Sequence, residues 1–305
     1  MHFPCTGRGV SGELAMIAAL RTLAGTPGAR GLMDDCALLE IGSETLVLTH
    51  DMMVEDTHWL PGQDEADIAW KLVATNLSDL AAKGAEPVGV LLGYTLGPDD
   101  EGFLSGIKAA LTAFNVPLLG GDTVASRGTR SHGLTAIGRA TSRPVPSRSG
   151  AQAGDGVWIT GPVGAAMLGF EALRDGRSDA DSTAFRRPVP HLQQGRALAP
   201  VAHAMMDVSD GLLIDARRMA EASGVTIALD SAAVPVPDTL PQDRLREALA
   251  WGDDYVLLCA LPGEMAPPCP AWRIGIVTNQ GPAPVLLDGA APGGKLGYEH
   301  APGGD

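Results

Sequence analysis

The residues with chemical potential in this chain are aspartates set at turns and beside glycines. Asp34 and Asp35 are adjacent, and Asp51 closes an apolar run. Asp122 follows Gly120-Gly121, Asp207 and Asp210 precede Gly211, and Asp253 and Asp254 follow Gly252. Asp79 joins them from the middle of the stretch 68–87. Taken singly, each has an ordinary reading as a turn former or helix N-cap, because Asp bonds local backbone N–H groups. Taken together they say more. The ends of strands in α/β sheets border ligand clefts, and crowded like charges repel unless cations neutralise them. Hard oxygen donors in such number suit Mg²⁺, which in turn suits polyphosphate.

The element that must position them is the stretch 68–87. Ile68, Leu72, Val73, Leu77, Leu80 and Ala81 recur at helical spacing, and Gly84 followed by Pro87 supplies a stop. Lys71, Thr75 and Asp79 fall on one i, i+4 row with Asn76 beside them, so a polar stripe runs down an otherwise apolar helix. The ordinary reading of that stripe is a solvated face. Periodicity predicts further helices at 13–23, 101–114, 165–173, 193–204, 212–223 and 244–250, with 205–211 opening the helix at 212. Strands are predicted as a hairpin of 36–41 and 45–49 ending at His50-Asp51, then at 88–96, 116–119 (ending in Gly120-Gly121-Asp122-Thr123) and 132–139. Later strands are expected at 157–160, 225–229, 255–260 and 272–277. Residues 141–154, TSRPVPSRSGAQAG, lack periodicity and read as a linker between an N-terminal domain, 1–140, and a C-terminal domain, 155–305. The Gly/Pro/Ala-rich tail is expected to be loose apart from a patch around Gly297-Tyr298.

At 305 residues the chain is long enough for two domains or one large one, and at 45% hydrophobic and 19% charged it has the composition of an ordinary globular protein. A formal net charge of −14 without any Lys/Arg run excludes nucleic acid as a partner. No apolar run approaches the roughly 20 residues of a membrane span, and MHFPCTGRGVSG lacks the features of a signal peptide, so a cytoplasmic location is expected. Cys5, Cys36, Cys259 and Cys269 have neither C-x-x-C spacing nor histidine partners and are expected to be free thiols. Residues 289–295, GAAPGGK, fit G-x-x-x-x-G-K, yet Leu296 follows and no strand-loop-helix surrounds them, so the match is accidental. Dinucleotide, nucleophile-elbow and zinc-protease motifs are absent. His50 and His58 flank Asp51 without a recognised metal spacing; capping or contact with substrate suits them better.

Six motifs occur in an order that resembles thiamine-monophosphate kinases, members of the aminoimidazole-ribonucleotide-synthetase-like ATP-binding superfamily. They are Asp34-Asp35-Cys36-Ala37, Thr49-His50-Asp51 running to His58-Trp59, Asn76-Leu77-Ser78-Asp79-Leu80-Ala81-Ala82, Gly120-Gly121-Asp122-Thr123, Asp207-Val208-Ser209-Asp210-Gly211 and Gly252-Asp253-Asp254-Tyr255. The resemblance spans about 13–298. It implies two α/β domains (α+β), with an N-terminal mixed sheet that joins its partner's in a dimeric β-barrel and a C-terminal α/β sandwich. It also implies ATP over several Mg²⁺ ions between the domains. Carried over, the metal set is Asp35, Thr49, His50, Asp51, Asp79, Asp122, Asp207 and Asp210, with Asp79, Asp122 and Asp207 central to catalysis. Gly121, Asp122, Arg148 and Ser209 match ATP contacts, and His58, Asp253 and Tyr298 match positions around thiamine phosphate. The chain departs from the pattern in three places. Met33 replaces a glycine, which questions the loop geometry; His50 replaces threonine; Asp253 replaces glutamate, so that Asp253→Glu is expected to lower KM.

The implied reaction moves the γ-phosphoryl group of ATP to thiamine monophosphate, giving thiamine diphosphate, the last step of that cofactor's biosynthesis. The acceptor phosphate is ionised near neutrality, so alignment and charge neutralisation suffice. Few lysines accompany the motifs, and metal ions would take a P-loop lysine's part. An acidic pocket suits the thiazolium cation. Two rival readings are a superfamily paralogue acting on an amide, selenium or sulfur species, and an inactive nucleotide-binding dimer. The first lacks a reactive cysteine setting at Cys5 or a cysteine at the chain end, and the second is opposed by the full set of matched aspartates.

Overall fold

The computed structural model describes residues 13–299; Cys5 and the final Gly-Gly-Asp lie outside that range. The N-terminal half runs α1 (Glu13–Arg21), β1 (Ala37–Ile41), β2 (Glu44–Val54), α2 (Glu65–Ala82), β3 (Ala85–Thr95), α3 (Asp100–Phe114), β4 (Leu118–Val124) and β5 (Ser131–Ala140). Its sheet has the order β1-β2-β5-β3-β4, antiparallel except at β3 and β4. After 141–154, which carry neither helix nor strand, come β6 (Gly156–Ile159), α4 (Ala165–Arg174), α5 (Thr183–Arg186), α6 (Leu192–Leu198) and β7 (Ala204–Val208). The chain ends with α7 (Leu212–Ser223), β8 (Val225–Leu229), α8 (Leu245–Ala248), β9 (Val256–Leu261), β10 (Trp272–Asn279) and β11 (Val285–Leu287). The second sheet is ordered β11-β8-β10-β6-β9-β7 and is parallel only between β11 and β8. This is the expected two-domain α/β fold with mixed sheets.

The helix α2 lies between the halves. Asp64 caps its start by accepting from the Ala66 N–H at 2.8 Å, and Glu65 and Asp67 put negative charge at its positive end. Ile68, Leu72, Val73, Leu77 and Leu80 pack in one core with Val47, Phe103, Leu134 and Ala136 of the first sheet and α3. Ala81 and Ala82 pack in another with Leu198, Met205, Leu257 and Cys259 of the second half. Every residue from Lys71 to Ala82 is therefore buried, so the stripe is not a solvated face. Gly84, at φ +58°, turns the chain into β3; a Cβ there would lie 2.3 Å from the Ala199 methyl, so only glycine fits.

Several expectations change. β2 continues past His50 and Asp51, so these lie mid-strand. Gly120-Gly121-Asp122-Thr123 is inside β4 rather than after it. Residues 204–208 form a strand buried along its length, an apolar run that periodicity cannot distinguish from helix. β11 was not foreseen in the tail. Met33 adopts φ −121°, open to any residue, so its replacement of glycine carries no backbone penalty.

Candidate active site

Carboxylate oxygens of Asp35, Asp79 and Asp207 lie within 4.8 Å of one another. Asp35 stands just before β1, Asp79 on α2 and Asp207 in β7, so the cluster exists only where the two halves meet. Alternation along β2 turns Thr49 and Asp51 toward α2, where the Thr49 hydroxyl donates to Asp79. Ser78 Oγ donates to Asp207 Oδ2 at 2.6 Å, and Asn76 Oδ1 accepts from the Asp51 N–H at 2.9 Å. Each polar group of the α2 stripe thus has a partner, as burial demands.

Burial, then Asp51, Asp207 and Asp35, push the Asp79 carboxyl well above its ordinary range. Asp207 rises for the same reason, burial first and Asp35 next. Asp51 is pushed up to about 6 by burial and by Asp210 and Asp35. Asp35 behaves oppositely: burial would raise it, but Lys83 and Arg148 outweigh burial and hold it low. Lys83 Nζ lies 2.7 Å from Asp35 Oδ2 and also pairs with Asp34, which is further bound by Arg30 and by Ser147 Oγ at 2.8 Å. Arg148, expected at ATP, donates to Asp35. An acid set this crowded, with oxygen donors from three elements, fits a hard divalent cation.

Beside the cluster opens a cleft of about 1010 Å³, whose walls include Asp51, Ser209, Asp210, His58, Asp253 and Tyr298. The three expected substrate positions therefore share one cavity with two of the expected metal ligands. A second hollow, about 760 Å³ against α3 and the start of β4, is lined by Leu104, Ile107, Leu111 and their neighbours and contains no acid. Asp253 stands on a loop of unusual backbone, with φ +105° at Gly252, +60° at Asp253 and +53° at Tyr255. The Asp253 and Tyr255 N–H groups donate to Ser209 O at 2.7 Å and Val208 O at 2.8 Å, which holds this strained loop against the Asp207-Ser209 strand end. Asp254 turns inward instead, accepting from the Gly164 N–H at 2.9 Å, a structural role. The Tyr298 N–H donates to Asp210 O at 2.9 Å, so the patch expected in the tail is docked.

Two predicted ligands lie elsewhere. His50 is exposed on the opposite face of β2 from Thr49 and Asp51, with Nδ1 2.9 Å from Thr135 Oγ1, and does not join the acids. Asp122 pairs with Gly93, Gly93 with Gly133 and Gly133 with Met52, so register puts Asp122 on that same outer face. Within one chain it stands apart from Asp35, Asp79 and Asp207. Gly121 beside it is sterically required: a Cβ would lie 1.9 Å from Leu92 O.

Several site residues were not singled out from sequence. Lys83 and Arg30 neutralise the Asp34-Asp35 pair. Asp215, fully buried, accepts from the Asp210 N–H at 3.1 Å, and Arg218 bridges Asp210 and Asp215 at 2.5 and 2.7 Å. Burial and Asp210 push Asp215 up to about 7. The i, i+3 spacing of Asp215 and Arg218 on α7 was the available signal.

Residues 33–140 match the family model for the AIR synthase related protein, N-terminal domain, and residues 152–285 that for its C-terminal domain. The thiamine-monophosphate kinase of Escherichia coli (strain K12) is 38% identical over 254 residues, covering 76% of each chain. That of Mycobacterium tuberculosis (strain ATCC 25618 / H37Rv) is 33% identical over 285 residues, 87% of this chain and 84% of that one. Among solved structures, AaThiL complexed with AMPPCP and TMP has a TM-score of 0.85 at 28% identity, covering 95% of this chain and 97% of that one. Hydrogenase maturation protein HypE in complex with ATP has a TM-score of 0.68 at 22% identity over 93% of this chain and 92% of that one, a likeness of fold alone.

Proposed function

The chain belongs to the AIR synthase related family and, within it, to the thiamine-monophosphate kinases, and from that premise we propose that it transfers the γ-phosphoryl group of ATP to thiamine monophosphate. The observation that carries the reading is a buried acid cluster coupled through Asp51 to a cleft that Asp51 lines together with His58, Asp253 and Tyr298. Asp35, Asp79 and Asp207 would hold Mg²⁺, with Thr49, Asp51 and Asp210 beside them. When bound, the ion supplies the positive charge that lets two phosphate groups approach. The chain's own part is placement. α2 and β7 fix their carboxylates through buried backbone, and Thr49 and Ser78 orient Asp79 and Asp207 by donating to them. Ser209, Gly121 and Arg148 are assigned to ATP, and His58, Asp253 and Tyr298 to the thiamine end. Because the acceptor oxygen is already ionised, no residue need act as a strong base.

The active form is read as a homodimer. Leu39, Ile41, Met52 and Leu91 are exposed on the N-terminal sheet, and register puts His50 and Asp122 on the outer face with Met52. A partner's sheet laid there would cover this apolar surface and close a barrel. Among the described residues no helix is long and apolar enough to cross a membrane, and a cytoplasmic site of action suits substrates such as ATP.

The test is product formation. With ATP, Mg²⁺ and thiamine monophosphate, mass detection is expected to find thiamine diphosphate, and with thiamine as acceptor no phosphorylated product. Absence of thiamine diphosphate at millimolar Mg²⁺ would sink the proposal.

A further inference from the structure

Lys71 is buried in α2, its side chain 1% exposed, and does not itself line the cleft. Its ammonium is nevertheless where three walls of the cleft meet. Nζ donates to Asp253 Oδ2 at 2.8 Å and to the His58 carbonyl oxygen at 3.2 Å, and it lies 3.9 Å from the centroid of the Phe185 ring. His58 belongs to the loop after β2, Phe185 to α5 and Asp253 to the loop before β9, and all three face the cavity. The other Asp253 oxygen accepts from the Tyr255 hydroxyl at 2.8 Å. A carboxylate has about four acceptor positions, so Asp253, whose side chain is 28% exposed, keeps acceptor capacity toward the cleft while its orientation is fixed from behind.

We infer that Lys71 is a positioning residue for thiamine monophosphate: it sets the spacing of the His58 and Asp253 walls and neutralises Asp253. The carboxylate is then presented as an oriented acceptor for an N–H donor, such as the pyrimidine amine, rather than as a free negative charge. A fixed thiazolium cation gains little from a neutralised pair, whereas an N–H donor gains a directed, charge-assisted bond. The rival account, an ion pair that merely staples the two halves, is weak in energy, since replacing a buried pair by apolar groups is often neutral or stabilising. It also leaves unexplained why the cation is aimed at the strained loop 252–255, where backbone strain persists only if the surroundings hold it in place. The inference rests on the reading that His58 and Asp253 bound the substrate end of the cleft.

Steady-state kinetics of Lys71→Met, Asp253→Asn and the double variant against wild type test it. Lys71→Met is expected to raise KM for thiamine monophosphate at least about tenfold, the scale of a lost charge-assisted contact, while KM for ATP and kcat move far less. In the Asp253→Asn background, adding Lys71→Met should change that KM little, because the two act as one unit. Should Lys71→Met not fold, Lys71→Gln, which keeps a donor toward Asp253 and His58, carries the comparison with a smaller rise expected. An unchanged KM for thiamine monophosphate, an equal rise in both KM values or additive effects would overturn the inference. A wild type that makes no thiamine diphosphate overturns the proposed function and the inference with it, whereas an active wild type with unmoved variants overturns the inference alone.

Discussion

Asp253 is one methylene shorter than the glutamate usual in its family, and sequence alone therefore expects Asp253→Glu to tighten substrate binding. The geometry removes that expectation. The shorter side chain already reaches Lys71 Nζ and the Tyr255 hydroxyl, each at 2.8 Å, and a longer one would have to fold back between the same two partners. Asp253→Glu should leave KM for thiamine monophosphate unchanged or raise it. Initial rates over a range of that substrate check this, and a clear fall in KM would mean that Asp253 does not reach its ligand. The same residue shows where sequence reading stops. The aspartates could be found because they recur in short ordered motifs, but Lys71 lies 182 residues from Asp253 and Lys83 lies 49 from Asp34, distances that no local pattern spans.

At the scale of the element, α2 separates what periodicity reports from what it does not. Its existence and its length to within a few residues were legible from apolar spacing and from Gly84. Its polar stripe has a solvated face as its ordinary reading, because periodicity reports which faces are apolar, not whether a second domain covers the polar one. Burial between two sheets is affordable only because the stripe is matched group by group, and Asn76 shows the cost of breaking a match. Its Oδ1 accepts the Asp51 N–H and its Nδ2 donates to Leu72 O, both at 2.9 Å. Asn76→Leu would strand the Asp51 N–H, at about 1–3 kcal/mol. A lower melting temperature with reduced turnover is expected in thermal denaturation and product assays, and an unchanged melting point would show that β2 satisfies that N–H by other means.

At the scale of the molecule, two halves with separate cores complete one acid cluster: the first supplies Asp35, Asp51 and Asp79, and the second adds Asp207 and Asp210. Asp51, raised to about 6, and Asp79 and Asp207, raised well above the ordinary carboxyl range by burial and neighbouring acids, all have folded-state values above those of the unfolded chain. In such a case the contribution to stability is present at low pH and is lost as pH rises through the folded value. Without metal the protein should therefore melt at a lower temperature at about pH 8 than at about pH 5.5. Mg²⁺ needs the carboxylates ionised, so its stabilising effect should be larger at the higher pH. Melting curves at both pH values, with and without Mg²⁺, decide this, and a Mg²⁺ effect that is equal at both or larger at the lower pH would contradict it.

The central claim is that the acid cluster where the halves meet performs the phosphoryl transfer, and Asp79→Asn tests it most directly. The substitution keeps the size of the side chain and an oxygen to accept from Thr49, while removing one of several mutually repelling buried acids. Measured side by side on one preparation, its metal-free melting temperature should equal or exceed that of wild type, while thiamine diphosphate formation falls at least about 10²-fold, the scale of losing a charge stabiliser in the transition state. Near-normal turnover accompanied by a lowered melting temperature would contradict the account and make Asp79 a structural residue of α2.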